Sequence, residues 1–206
     1  MKKIAFFILA ITILACNNKT DDKKVSEKNT EEKTEKKANN TPTLSYQPEI
    51  NILVKDTVDD NMMLLGKVNK KGLTNKEFRA WYKENYYAHE LDTITIEALK
   101  PKLENVSIKV FMGTWCSDSQ REVPALNKIL EEAEYDQTKL EVIAVSHDKD
   151  TPDHLEKGMD IQYVPTIIFY KNEKEIGRYV ELAQETLEKD MLAILNESGY
   201  KHSYEE

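Results

Sequence analysis

Two cysteines stand in the 206 residues, Cys16 and Cys116. Cys116 lies in the run Val110-Phe111-Met112-Gly113-Thr114-Trp115-Cys116-Ser117-Asp118-Ser119, an apolar strand that stops at a glycine before Trp-Cys opens a helix. Unpaired N–H groups and the helix dipole favour a thiolate at that place, so residue type and position together point to nucleophilic sulfur chemistry. A second cysteine three residues on would let the pair close a disulfide. Ser119 holds that place instead. A serine hydroxyl can hydrogen-bond a thiolate, but it cannot expel a bound partner by forming a disulfide. Asp118 would sit in the first helical turn, where it favours the helix through the dipole yet disfavours a second negative charge on Cys116. Arg121 and Lys109 are the cations that could offset it. Asp118 and Ser119 are equally readable as ordinary helix-start residues.

The other cysteine has a different context. Lys2 and Lys3 precede an apolar run from Ile4 to Ala15, and Cys16 follows a small residue. This has the parts of a secretory signal and is too short for a membrane-spanning helix. Ile13-Leu14-Ala15-Cys16 resembles a bacterial lipobox, in which cleavage leaves the cysteine as the lipid-modified first residue. The resemblance implies residues 1–15 as a lipoprotein signal peptide and Cys16 as the lipidation site. An ordinary signal peptide, or an uncleaved anchor with a chance cysteine, is the other reading. An acylated Cys16 could not pair with Cys116. Asn17, rather than Asp, resembles the pattern of outer-membrane sorting in Gram-negative lipoproteins, on the periplasmic or surface side. Lys19-Thr20-Asp21-Asp22 loosely resembles surface-export signals.

The formal charge is −8, and losing Lys2 and Lys3 with residues 1–15 would take it to −10. Such a chain gives no support for nucleic-acid binding, which leans on clustered Lys and Arg. From Asn17 to Asn40 seven lysines and six acidic residues are interspersed with almost nothing apolar. That segment cannot form a core, and residues 16–45 are expected to be a disordered lipid tether, averaging about 30 Å end to end. No cofactor is called for. His147, Asp148 and His154 lie close together in a polar stretch, but without a second cysteine or a His-x-x-x-His helix a surface loop is the better reading, so no metal is expected.

About 160 residues remain from Tyr46, enough for one compact domain. Leu64–Val68 could be a short strand. Thr74-Asn75-Lys76-Glu77 reads as a capping box with Leu73 stapled onto Phe78. The next helix carries Phe78, Trp81, Tyr82 and Tyr86 at helical spacing. Such a stripe could line a ligand groove; packing against a sheet is the preferred reading. His89 is a polar residue at the helix end, and a second helix is expected over Ile94–Leu103 with Pro101 disturbing its end. Then follow a strand Ser107–Met112, a helix Asp118–Glu134, a strand Leu140–Ser146 and a short helix Asp153–Lys157. Strands Thr166–Tyr170 and Ile176–Val180 are joined by Lys171-Asn172-Glu173-Lys174, and a last helix runs Gln184–Asn196. Strand–helix alternation argues for a parallel βαβ unit, and the closing hairpin adds antiparallel strands.

That order, with Trp115-Cys116 after a strand, resembles the thioredoxin fold: a central mixed β-sheet flanked by helices, here with an N-terminal helical extension. Trp115-Cys116 stands where that family has Trp-Cys-x-x-Cys. Pro124 lies eight residues on, as does the family's helix-kinking proline, and Val164-Pro165-Thr166 resembles its cis-proline segment. Gly113-Thr114-Trp115-Cys116 with Asp118-Ser119 and Arg121-Glu122-Val123-Pro124 is similar to a bacterial subgroup carrying Cys-x-Asp-Ser. The likeness covers roughly Val106 to Tyr200, implying an N-terminal extension over residues 46–105 packed on a thioredoxin-like domain over residues 106–206. It also implies a cis Pro165 that leaves Val164 backbone groups free to pair with an extended thiol substrate; a trans proline opening an edge strand is the alternative. Two features depart from the family. The buried acid expected six residues before the cysteine falls on Val110, and the resolving cysteine is Ser119.

The resemblance therefore implies monothiol thiol–disulfide exchange, with Cys116, Trp115, Asp118 and Ser119 at the reacting end and Val164, Pro165 and Thr166 binding substrate. An outside thiol would resolve the mixed disulfide, and protein or low-molecular-weight thiols and disulfides would be the partners. Peroxide reduction fits less well, since that pattern needs Thr or Ser where Gly113 stands. The competing expectation is a non-catalytic binding module that uses the surface around Pro165.

Overall fold

The computed structural model describes residues 49–205; the expected signal peptide, the expected tether and Cys16 lie outside them. The described elements run β1 (Ile52–Lys55), β2 (Met62–Val68), α1 (Lys70–Leu73), α2 (Arg79–Ala88), α3 (Thr93–Leu103), β3 (Val106–Met112), α4 (Ser117–Glu132), β4 (Leu140–Ala144), β5 (Thr166–Lys171), β6 (Lys174–Val180) and α5 (Leu187–Leu195). The strands form one sheet in the order β1-β2-β4-β3-β5-β6. Among the described strands only the β3–β4 pair is parallel, and α4 is its crossover. This is the mixed sheet with flanking helices that the motif order predicted.

Strand alternation divides the core. Val106, Ile108, Val110 and Met112 of β3 join Val142, Ile167, Phe169 and Tyr179 in one cluster, and buried side chains of all five helices fall in that same cluster. Phe111, Ile143 and Ile168 face the other way, packed with Cys116, Val145 and Val164 and covered by Leu155, Met159 and Ile161. Further along that second face Glu141 pairs with Lys67 at 2.5 Å and Lys109 at 3.1 Å. Lys109 is thereby committed away from Asp118.

The extension supplies more than helices. β1 and β2 form a hairpin, and β2 pairs antiparallel with β4, widening the sheet. Ile52-Leu53-Val54 was too short an apolar run to stand out against the polar turn after it.

Other local readings need correction. No capping box forms: the Thr74 hydroxyl donates backwards to Lys70 O, closing α1, and Asn75 accepts the Glu77 N–H. The aromatic stripe meets α4 rather than the sheet, with Asn127 donating to the Tyr82 hydroxyl at 3.1 Å and Tyr86 donating to Glu131 at 2.7 Å. Residues 153–157 form turns, not a helix. Thr151 and Glu156 capture local N–H and hydroxyl donors, and His154 takes a left-handed φ of 54°. The last helix starts at Leu187, capped by Thr186, because the Asp190 carboxylate takes the Gln184 and Glu185 N–H groups.

Candidate active site

Met112 ends β3, and the chain turns through Gly113, Thr114 and Trp115 into α4. The Cys116 N–H donates to Gly113 O at 3.0 Å, closing that turn, and Cys116 takes an extended conformation at the helix N-cap while its carbonyl accepts the Gln120 N–H. The thiol therefore sits at the positive end of a sixteen-residue helix.

Neighbours fix the turn. A Cβ on Gly113 would stand 2.5 Å from a ring carbon of Trp115, so only glycine lets the indole fold back here. Thr114 Oγ1 accepts the Leu64 N–H from β2 at 3.1 Å, and Gln120 donates to Thr114 O at 2.8 Å. Ser119 is fully buried and accepts the Gly113 N–H at 3.1 Å. Among the described residues no hydrogen bond joins Ser119 to the thiol. Its role in this geometry is to hold the strand-to-helix turn.

The Val164–Pro165 peptide bond is cis. Cys116 is 9% exposed, and its S–H donates to Val164 O at 3.1 Å. Sulfur and cis-proline segment are thus in contact, and the carbonyl expected to be free is occupied by the thiol. Thr166 points back instead, its hydroxyl donating to Tyr163 O at 2.7 Å while its backbone pairs with Phe111 and Val180.

Asp118 pairs with Arg121 at 2.7 Å, and Arg121 reaches Glu122 at the same distance. Burial works against the Arg121 charge, but these two carboxylates outweigh it and hold its pKa above the ordinary value. Asp118 is therefore an ion-paired carboxylate that shares its arginine with Glu122.

Around Pro165 the surface carries aromatic, apolar and acidic side chains. Tyr163 and Leu182 are exposed, and Tyr204 from the C-terminal segment stacks on Tyr163 with centroids 3.9 Å apart and planes 9° apart. The Tyr204 hydroxyl donates to Glu181, a bond that, with burial and other nearby anions, pushes its pKa up to about 12.

Two residues the sequence reading did not place at the site belong to it. The Trp115 ring stacks on His147, centroids 4.1 Å apart, and His147 Nε2 lies 2.8 Å from the Asp56 carboxylate. His147 had a usable signal: it follows β4, whose carboxyl end lies beside that of β3, where α/β sheets collect functional groups. Asp56 had none, being 91 residues from its partner. His154 lies 3.6 Å from Glu156, and among the described residues no group of three or more His, Cys, Asp or Glu is placed to hold a metal.

Strand, turn, a cysteine at the helix N-cap and cis proline meet in one place, and a family model described as thioredoxin matches residues 68–194. The chain belongs to the thioredoxin family. The match starts at the end of β2, earlier than the Val106 at which the motif likeness began, so α1 to α3 lie within the thioredoxin region. No curated protein matches the chain. Among solved structures, the chain is similar to a protein of unknown function from Pseudomonas aeruginosa, at 18% identity and a TM-score of 0.39, covering 58% of this chain and 82% of that one. An HIV epitope scaffold is similar at 19% identity and a TM-score of 0.29, over 58% of this chain and 88% of the other.

Proposed function

We propose that this thioredoxin-family protein performs monothiol thiol–disulfide exchange through Cys116 in the cell envelope, anchored by a lipid on Cys16. The observation that carries the exchange reading is the contact between Cys116 Sγ and Val164 O at the cis proline. It joins the nucleophile to the backbone along which an extended partner would lie. The Cys-x-Asp-Ser pattern supplies the monothiol character, since Ser119 has no sulfur to give.

In the reaction, Cys116 first loses its proton to solvent and swings off the Val164 carbonyl, because only a protonated thiol can donate that bond. The thiolate attacks one sulfur of a disulfide, forming a Cys116–S–S–R bond and releasing the other half as a thiolate. Val164 O, now free, accepts an N–H from the bound segment. An external thiolate then attacks the R sulfur of the mixed disulfide, forming a new disulfide with R and returning Cys116 as thiolate. The protein undergoes no net oxidation.

The test uses the full chain carrying Cys16→Ser and an aromatic disulfide, 5,5′-dithiobis(2-nitrobenzoate), at neutral pH. Expected are a rate above that of free cysteine, one thiolate released per chain, a mixed disulfide that persists until an outside thiol is added, and no release after Cys116→Ser. A rate at or below that of free cysteine overturns the exchange reading. That outcome would favour the second reading, a binding module, whose supporting observation is the low exposure of Cys116. Anchoring is tested separately: Cys16→Ser should move the chain from the membrane to the soluble fraction, and unchanged partitioning counts against it. Asn17 favours the outer membrane of a Gram-negative bacterium as the destination.

A further inference from the structure

The Trp115 indole is held at its edge and on its face. Its Nε1 donates to Val145 O at 3.0 Å, and its face lies against the His147 imidazole with the planes 21° apart. His147 is itself fixed, by the carboxylate of Asp56 at 2.8 Å. Asp56 is 1% exposed, and its other oxygen accepts the Val58 N–H at 2.8 Å. Its backbone N–H donates to Asn61 O, closing the turn between β1 and β2.

Burial by itself would expel a carboxylate's charge, yet the Val58 N–H and His147 outweigh it and hold the Asp56 pKa below its ordinary value. An ionised, buried acid with one oxygen spent on a turn has little freedom, and the ring it binds inherits that rigidity. Lys149 also bears on the array, donating to His147 O at 2.9 Å with its ammonium 5.8 Å from the Trp115 ring centre. The three central residues come from different places: the β1–β2 turn, the loop after β4 and the turn between β3 and α4. Nothing local requires them to meet. The same hairpin makes a second hold on the loop, through Leu64 N–H and Thr114 Oγ1.

We propose that Asp56 and His147 are positioning residues for Cys116: the carboxylate orients the imidazole, the imidazole holds Trp115 flat, and the indole keeps the following residue turned toward Val164. This rests on the reading of Cys116 as the reacting atom. It makes the N-terminal hairpin part of the active site, in a chain whose buried-acid position is Val110.

The test measures alkylation of Cys116 by iodoacetamide, with Trp115 emission and near-ultraviolet circular dichroism as the spectroscopic signature, in the full chain carrying Cys16→Ser. His147→Ala should free the loop, raise the alkylation rate roughly tenfold as local opening becomes easier, and shift the indole signal. His147→Phe keeps a flat ring and should restore both readouts toward the wild-type values. Asp56→Asn, which can still accept from the imidazole, should lie between them. Wild-type alkylation and emission in His147→Ala overturn the proposal. So does a His147→Phe protein that behaves like His147→Ala, since the stack would then not be the route. His147 is partly exposed, so these two variants decide the matter even if Asp56→Asn does not fold. Iodoacetamide reacts with any accessible thiol, so a failed disulfide-exchange assay leaves this result intact, and the reverse holds too.

Discussion

Ser119 has a task that does not depend on sulfur chemistry. Its oxygen, on a fully buried side chain, is the partner of the Gly113 N–H. Ser119→Ala leaves that donor unpaired and should cost about 1–3 kcal/mol of stability. A lowered urea midpoint with an unchanged slope would show it, and an unchanged midpoint would refute it. At this scale the sequence was readable wherever chemistry and geometry are local. Trp115-Cys116 and Val164-Pro165 announce themselves within a few residues, because a strand-to-helix turn and an X-Pro bond are short-range structures. The Asp56–His147 pair could not be read, since nothing in a loop aspartate specifies a histidine 91 residues away. Ser119 lay between the two cases: its position was legible, but which hydrogen bond it makes depends on how tightly Gly113 folds back.

The β5–β6 hairpin shows how an element can form despite one unfavourable residue. Lys171 pairs with Lys174, so the loop is Asn172-Glu173, and both residues take left-handed φ values, 51° and 64°. Two-residue hairpins of this twist favour Asn then Gly. Glutamate at the second place opposes its own Cβ sterics. Glu173→Gly should therefore stabilise the protein, on the order of 1 kcal/mol, readable as a raised melting temperature; a lowered one would mean that Glu173 holds a contact worth more than its strain. The elements that sequence periodicity placed well, β3 and α4, are those whose apolar spacing runs long enough to outweigh chance. β1 is four residues long, and residues 153–157 look helical only until Thr151 and Glu156 take their hydrogen-bonding groups. Short segments take their shape from partners rather than from their own pattern.

Across the whole molecule, buried carboxylates set the response to acid. Asp56 and Glu188 are each 1% exposed. Burial opposes the Glu188 charge, but His89 at 2.8 Å and nearby backbone N–H groups outweigh it, so its pKa, like that of Asp56, lies below the ordinary value. A folded-state pKa below the unfolded one stabilises the protein above the unfolded value, and that stability drains away as pH falls through the folded one. Their ordinary values are 3.8 and 4.5, so the fold should hold above about pH 5 and weaken progressively below it. Glu188→Gln should flatten that loss, and an acid unfolding curve that keeps its wild-type slope would contradict the assignment. The hairpin at the sheet's edge carries a mechanical consequence. β1 is one of the two edge strands, held to β2 by four residue pairs, and Asp56 is the first residue beyond it. Tension applied from the amino-terminal side would load that short ladder before any other, unzipping it from the Ile52–Leu65 pair toward Lys55–Met62. The last rung to open adjoins the aspartate that steadies His147, so traction on the front of the chain would be felt at the sulfur while the central strands still hold.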